Sequence, residues 1–416
     1  MKLVAHVAFS ILLAKFALAI SVLGTLSSTV YLAMVLVAAR RYLRLAKEQE
    51  REALATPVSK LPPVTILKPV HGLEPKLAEN LASFFEQDYP DFEVVIGARD
   101  EGNAALGVAR AVCARYPHVP SRIVVSGPPT WPNAKVFSLD KMIAGTTSSI
   151  LVISDSDVLV EPNCLRNVVP PLLEEKTGLV TCIFRGIPAG DAASLLEALG
   201  MSVEMPAGVL VADMMEGMRF ALGMIVAVRR DALEAIGGIR ATADYYSDDY
   251  VIGNEVWAAG YKVVLSHYKP GHVLRPSSWM ETFADQLRWS QSTRYSRPAG
   301  HVGSGLTYAM PFGILGCIAA LALGQPALGW GLLGMAYANR VLLSIAVGWG
   351  VIRDSRALKL CWLYPLRDLL GFCTWFGSFV IRDFHWRGET YVFGEKGRIT
   401  PKLRRAESAI AERPGR

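Results

Sequence analysis

The stretch Leu151–Val160 reads LVISDSDVLV, two aspartates two residues apart inside the apolar run of a buried strand. Ionised carboxylates are costly to take out of water unless something compensates them. On an extended chain residues i and i+2 point the same way, so Asp155 and Asp157 are expected to offer oxygens to one hard cation. Magnesium or manganese suits carboxylate and phosphate oxygens, and the pair suggests a metal gripping a diphosphate. DxD pairs are common on surfaces, but the apolar flanks here argue against a solvated loop.

Two further segments carry candidate chemistry. ADYYSDDYVIG places Asp248 and Asp249 before another apolar patch. Adjacent residues on extended chain face opposite ways, so one of them is expected in the crevice, where a carboxylate near a substrate hydroxyl is a suitable general base. Asp249 is assigned that part. Ser247-Asp248-Asp249 also fits a helix N-cap ahead of Tyr250–Ala259, and one aspartate can cap while the other acts. In FADQLRWSQSTRYSRP, Arg288 and Trp289 are adjacent on a predicted helix. An interfacial helix with a Trp anchor and snorkelling arginines explains part of it. An arginine facing a departing diphosphate would stabilise developing charge, and the two readings are compatible.

The elements that position these residues alternate. VTILKPV, FEVVIGA, RIVVSG and ILVISDSDVLV read as strands, with helices predicted at Glu74–Phe85 and Val108–Tyr116. Short apolar runs alternating with helices predict an α/β, doubly wound parallel sheet, which binds ligands at the carboxyl ends of its strands. Asp100 lies just past the second strand and Asp155 at the end of the fourth, so both are expected at one crevice.

At 416 residues and 51% hydrophobic composition, the chain is richer in apolar residues than an ordinary soluble enzyme, and the excess sits at its two ends. Ala17–Ala39 is uncharged and long enough to cross a bilayer core of about 30 Å. Lys15 interrupts what would be a signal-peptide core, so a retained anchor is expected, with Met1 outside and the chain after Arg40 cytoplasmic. Leu306–Leu323, Ala327–Gly350 and Leu358–Ile381 are three further candidate spans. Arg340, Arg367 and Asp368 fall within them and need partners, unless these segments are re-entrant or interfacial. The expected organisation is an anchor at 1–47, a linker at 48–63, a catalytic domain at 64–300, membrane segments at 301–385 and a basic tail at 386–416.

The formal charge of +6 is concentrated beside the apolar ends: Arg40, Arg41, Arg44 and Lys47, then Arg382, Arg387, Lys396, Arg398, Lys402, Arg404 and Arg405. Such clusters mark the cytoplasmic side and attract anionic lipid. The middle of the chain lacks a basic stripe, which argues against nucleic acid as a partner. Six scattered cysteines form no CxxC pair and read as reduced, apolar side chains.

In order, KPVHGLEPKL, GARDEGN, SDSD, AIGG, SDDY and RW, flanked by membrane segments, resemble the family-21 glycosyltransferases, the ceramide glucosyltransferase family of the GT-A, family-2-like group. The resemblance runs from about Val64 to Tyr391. It implies a GT-A cytosolic domain with an N-terminal transmembrane helix and C-terminal membrane helices. It also implies transfer, with inversion, of one hexose from a UDP-sugar to a lipid hydroxyl at a bacterial inner membrane. Asp100 would sit by the nucleoside, Asp155 and Asp157 would hold Mg2+ or Mn2+, Asp249 would be the base, and Arg288 and Trp289 would end a Q/RxxRW motif and, with Asp100 and Asp155, bind the nucleotide-sugar. WRGET followed by Tyr391 is similar to the family's closing Trp-Arg and Tyr. The sequence departs at Asp285, which occupies the Q/R position with Gln286 one place late. It departs again at Met205-Pro206, where animal ceramide enzymes carry His-Pro. RYSRPAG, residues 294–300, resembles bacterial relatives that add N-acetylglucosamine to hopanoids. Ceramide and a hopanoid therefore both stand as acceptors. A processive polysaccharide synthase would give a polymer instead of a single glycosyl lipid. A non-catalytic scaffold or transporter would tolerate Asp249→Asn.

Overall fold

The computed structural model describes residues 2–386 and 389–402, the side chains of 2–4 excepted. Strands are β1 (Val64–Pro69), β2 (Phe92–Ala98), β3 (Ser121–Val125), β4 (Ile150–Ile153), β5 (Val158–Leu159), β6 (Thr177–Cys182), β7 (Arg185–Ile187), β8 (Val226–Arg229), β9 (Lys262–Ser266), β10 (Gly271–Val273), β11 (Asp383–Trp386), β12 (Glu389–Phe393) and β13 (Ile399–Pro401). The main sheet has the order β3-β2-β1-β4-β8-β6-β9. β1 is parallel to β2 and β4, with Ile66 opposite Val94 and Val152. β8 runs against β4 and β6, so the expected parallel sheet is in fact mixed.

The central strands are apolar on both faces because both faces are covered. Ile66, Val94, Ile96, Val152 and Val180 face one core, and Leu67, Val95, Leu151, Ile153 and Leu179 the other. The strand expected across the DxD pair stops at Ile153; Asp155 and Asp157 lie in the turn that leads to β5. A small second sheet, β5-β10-β7, then sets His272 opposite Val158.

The N-terminal helix, Lys2–Ala55, is unbroken and runs through the first half of the expected linker. Residues 48–55 stay helical because they have a surface to cover. Gln49 Nε2 donates to Leu265 O at 3.1 Å, His267 N donates to Gln49 Oε1 at 2.8 Å, and Tyr42 donates to Ser266 O at 2.9 Å. The helix thereby closes the end of edge strand β9. Among the described residues, three helices are long and apolar enough to cross a membrane: Ala5–Ala55, Ala192–Glu216 and Pro326–Trp349. The second was not expected, since Glu197, Glu204, Pro206 and Asp213 interrupt its apolar pattern. Two of the expected C-terminal spans form shorter helices, Met310–Ala322 and Tyr364–Val380.

The charges in these segments are paired. Arg340 Nη1 lies 3.0 Å from Asp368 Oδ1. Asp368 Oδ2 accepts from the Ala309 and Met310 amides at 3.0 and 2.8 Å, closing the start of the Met310–Ala322 helix. Arg367 donates to Gln286 Oε1 at 2.7 Å and lies 3.0 Å from Glu204. Near the C-terminus, where a basic tail was expected, β11, β12 and β13 form an antiparallel sheet. It docks on residues 244–246, with Ile399 N donating to Asp244 O at 2.8 Å and Tyr246 packed on Phe384, Trp386 and Phe393. Arg387, Arg404 and Arg405 of the expected basic cluster lie outside the described residues.

Removing one member of a buried ion pair leaves the other uncompensated, at about 3–5 kcal/mol. Asp368→Ala is therefore expected to lower the thermal midpoint in detergent substantially, and Arg340→Met with Asp368→Leu to recover most of that loss. A single variant as stable as the native protein would show that the pair contributes nothing.

Candidate active site

The carboxyl ends of the strands gather the acidic residues around one lysine. The Ala134–Ile143 helix begins at Asn133, whose side chain accepts from the Lys135 and Val136 amides at 3.0 and 3.2 Å. Asn133 also donates to Tyr245 O at 2.8 Å, joining this helix start to the segment ahead of Asp248. Lys135 is thus fixed in a first helical turn, where the helix dipole disfavours a cation. Its Nζ lies 2.8 Å from Asp155 Oδ1 and 3.1 Å from Asp248 Oδ2. Burial works against its charge, but Asp155, Asp248 and Asp249 outweigh it and hold the ammonium well above its usual range.

Asp248 and Asp249 open the Asp248–Ala258 helix, as its first two residues rather than its N-cap. Asp248 turns to Lys135. Asp249 faces Asp155: a Cβ placed on Gly223 would lie 3.0 Å from Asp249 Oδ2 and 3.5 Å from Asp155 Oδ2. Gly223 therefore leaves a hollow between the two carboxylates. Burial pushes the Asp249 carboxyl up to about 7, with Asp248 adding to the rise and Lys135 opposing it. A carboxylate titrating near neutral pH is matched to proton abstraction.

Asp157 takes a different partner. His272 Nε2 lies 3.1 Å from its Oδ2, while the buried Oδ1 has no hydrogen-bond partner among the described residues. Burial opposes ionisation of both, but their mutual attraction prevails, holding Asp157 below and His272 above their ordinary values. Lys68, fully buried on β1, donates to Ser154 Oγ at 3.2 Å and to the Asp155 carbonyl, with Phe84 beneath its ammonium at 3.8 Å. Burial draws Lys68 down to about 7. Burial, reinforced by Asp157, lifts Glu74 to about 7.

The other expected residues are placed around this centre. Asp100 is exposed, next to Arg99, which lines a cleft of about 360 Å³ with Pro69, His71, Lys135, Trp386 and Tyr391. Arg288 sits on the Trp279–Ser296 helix, its Nη2 on Asp285 Oδ1 at 2.8 Å and its guanidinium 5.8 Å from the Tyr246 ring. Asp285 thus binds Arg288 itself, and Gln286 bridges Glu197 and Arg367. Trp289 packs beside the His272 ring, with centroids 6.5 Å apart.

Among the described residues, no group of three His, Cys, Asp or Glu is placed to enclose a metal by itself. Asp157, with its unpartnered Oδ1, and Asp155, whose Oδ1 is held by Lys135, would need phosphate and water to complete the shell of a hard cation. Asp155 and Asp157 therefore suit Mg2+ or Mn2+ only together with a phosphorylated ligand.

Lys135, His272, Gly223, Lys68 and Glu74 were not singled out from sequence. Lys68 was legible as the one charge in VTILKPV, and a buried lysine requires an acceptor. Asn133-Ala134-Lys135 carries an N-cap signal. His272 gave no signal beyond a polar residue in a short apolar run.

A family model for glycosyl transferase family 21 matches residues 20–399. The chain belongs to glycosyl transferase family 21. The GT-A fold that the resemblance implied accords with this mixed α/β sheet, whereas the all-parallel sheet expected from the strand pattern does not. Similar curated proteins include ceramide glucosyltransferase 1 of Caenorhabditis elegans, 25% identical over 207 residues, covering 50% of this chain and 44% of that protein. The ceramide glucosyltransferase of Komagataella phaffii is 35% identical over 147 residues, 34% of this chain and 29% of that protein. The matched segments thus span half or less of these relatives. Among solved structures, a mannosyltransferase of Pyrobaculum calidifontis in complex with GDP-Man and Mn2+ is 18% identical, with TM-score 0.48, covering 85% of this chain and 98% of that one.

Gly223 offers a test of the crevice. Displacing catalytic groups by about 1 Å can reduce rate by about 10²-fold. Gly223→Ala is expected to reduce glycosyl transfer on that scale with little change in thermal midpoint. Native turnover in this variant would remove the space between Asp155 and Asp249 from the chemistry.

Proposed function

We propose that this family-21 protein is a membrane-bound, inverting transferase that moves one hexose from a UDP-sugar to a lipid primary hydroxyl, in the manner of ceramide glucosyltransferase. The observation that carries this reading is the facing of Asp249 and Asp155 across Gly223. It sets a base near neutral pK beside a carboxylate suited to a metal diphosphate. The Trp279–Ser296 helix closes the site against the membrane segments, Gln291 donating to Ile381 O at 2.7 Å, which suits an acceptor arriving from a bilayer.

In this mechanism Asp249 accepts the hydroxyl proton as the acceptor oxygen attacks the anomeric carbon and the bond from that carbon to the UDP oxygen breaks. The bound divalent cation supplies Lewis-acid stabilisation of the departing diphosphate. Asp155 and Asp157 hold that cation, and Asp100 is assigned to the nucleoside. Arg288 is assigned to the departing diphosphate; its buried Nε has no hydrogen-bond partner among the described residues, which leaves it a donor to offer. Trp289 belongs to the same helix and packs behind the metal side. The ceramide names of the relatives favour ceramide and UDP-glucose. The Arg294–Gly300 segment, RYSRPAG, supports a hopanoid with UDP-N-acetylglucosamine as the second reading. A cytoplasmic catalytic face follows from the Arg40–Lys47 cluster at the end of the anchor.

Purified protein incubated with labelled UDP-sugars and extracted lipids, with and without EDTA, is expected to yield one glycolipid, named by mass spectrometry, and to lose turnover on chelation. Asp155→Ala is expected to weaken UDP-sugar binding, whereas Asp249→Asn spares binding and stops transfer. Native turnover in either variant counts against these roles.

The pH profile is a separate check. Asp249 faces Asp248, Lys135 and Asp155, and its carboxyl titrates near 7. Protonation removes the base, so kcat/KM is expected to fall about tenfold per unit as pH drops below about 7, and to level off above it. A flat profile between pH 5 and 8 would exclude Asp249 as the base.

A further inference from the structure

Asp157 is held twice by β10. Its carbonyl accepts from the Val273 amide at 2.8 Å, and its Oδ2 meets His272 Nε2 at 3.1 Å. The register of the small sheet brings the two together, because His272 lies opposite Val158, the residue after Asp157. The imidazole is buried between two other rings. Phe184 meets it edge-on at 5.7 Å and Trp289 lies at 6.5 Å, and both belong to a separate apolar cluster with Ala198, Met201 and Leu274. One oxygen of Asp157 is thereby committed to His272, and the other, Oδ1, is buried without a hydrogen-bond partner among the described residues.

We infer that His272 is a positioning residue that fixes Oδ1 of Asp157 toward the cation–diphosphate, and that Trp289 acts on the reaction by holding the His272 ring rather than by touching the donor. This deepens the proposed function and rests on its assignment of Asp157 to the metal. A carboxylate free to rotate about its last bond offers either oxygen and loses affinity through that disorder. One bound through Oδ2 by a wedged ring offers a single oxygen in a fixed direction. Hydrogen-bonding partners of metal-ligating groups typically change affinity about 10–100-fold when removed. The Trp of the RW pair is thus connected to the metal side through one imidazole, while Arg288, on the same helix, faces Tyr246.

The test reads Mn2+ binding by electron paramagnetic resonance, with UDP present, on the full-length protein in detergent, alongside thermal midpoint and kinetics. His272→Leu is expected to weaken Mn2+ binding at least about tenfold, and His272→Gln, which restores a side-chain N–H, to recover most of it. Trp289→Leu is expected to weaken Mn2+ binding in the same direction, and the His272→Leu, Trp289→Leu double variant to bind no worse than His272→Leu alone, since the two act in series. The midpoint should stay near native in His272→Gln; if His272→Leu does not fold, Trp289→Leu and His272→Gln carry the comparison. If native protein binds Mn2+ with UDP and Asp157→Asn loses it, native-like binding in His272→Leu, or additive losses in the double variant, overturns this inference alone. If native protein and Asp157→Asn bind Mn2+ equally, the metal assignment itself fails and the inference with it.

Discussion

Lys135 shared between Asp155 and Asp248 is the contact on which the site depends. Asp155, Asp248 and Asp249 converge at the carboxyl ends of a sheet covered on both faces, where like charges repel strongly. A single ammonium, fixed by the Asn133 cap, joins the turn after β4 to the start of the Asp248–Ala258 helix. It engages Asp155 and Asp248 directly, whereas burial, with Asp248 beside it, raises the Asp249 carboxyl to about 7. Asp249, proposed as the base, and Asp155, proposed for the metal, thus sit differently toward one cation: Lys135 meets Asp155 directly.

Much of the frame was legible because its signals are local. VTILKPV, FEVVIGA and RIVVSG became β1, β2 and β3 nearly as bounded, since short apolar runs between helices leave few other folds. The reversal of β8 was not legible; strand direction in a sheet is set by which neighbours it meets, and VAVR reads the same either way. The DxD pair was found from its spacing, but its two side chains do not share one strand face. The turn after Ile153 sends Asp155 to Lys135 and Asp157 to His272. Those partners come from far along the chain, and no period in the sequence encodes such pairings.

The membrane segments show the same division. Arg340, Arg367 and Asp368 were visible as charges that require company, and the requirement is met by Asp368 with Arg340 and by Glu204 and Gln286 with Arg367. What sequence could not supply is that Glu204 lies on Ala192–Glu216, a helix whose own polar residues disguise its length. These polar contacts tie that helix, the Trp279–Ser296 helix and Tyr364–Val380 into one block. The relative placement of these three helices is therefore set by polar pairing inside an apolar setting, where breaking a pair is costly.

The docking of β11–β13 onto residues 244–246 bears on the order in which the protein matures. Every strand of the main sheet leaves the ribosome before these three, yet the segment leading to Asp248 and Asp249 takes the aromatic cover of Phe384 and Phe393 and the Ile399 amide bond from them. A nascent chain that has built its sheet still lacks this cover on its acidic loop until the segment after the Tyr364–Val380 helix has emerged, so a chain truncated ahead of β11 is left without it.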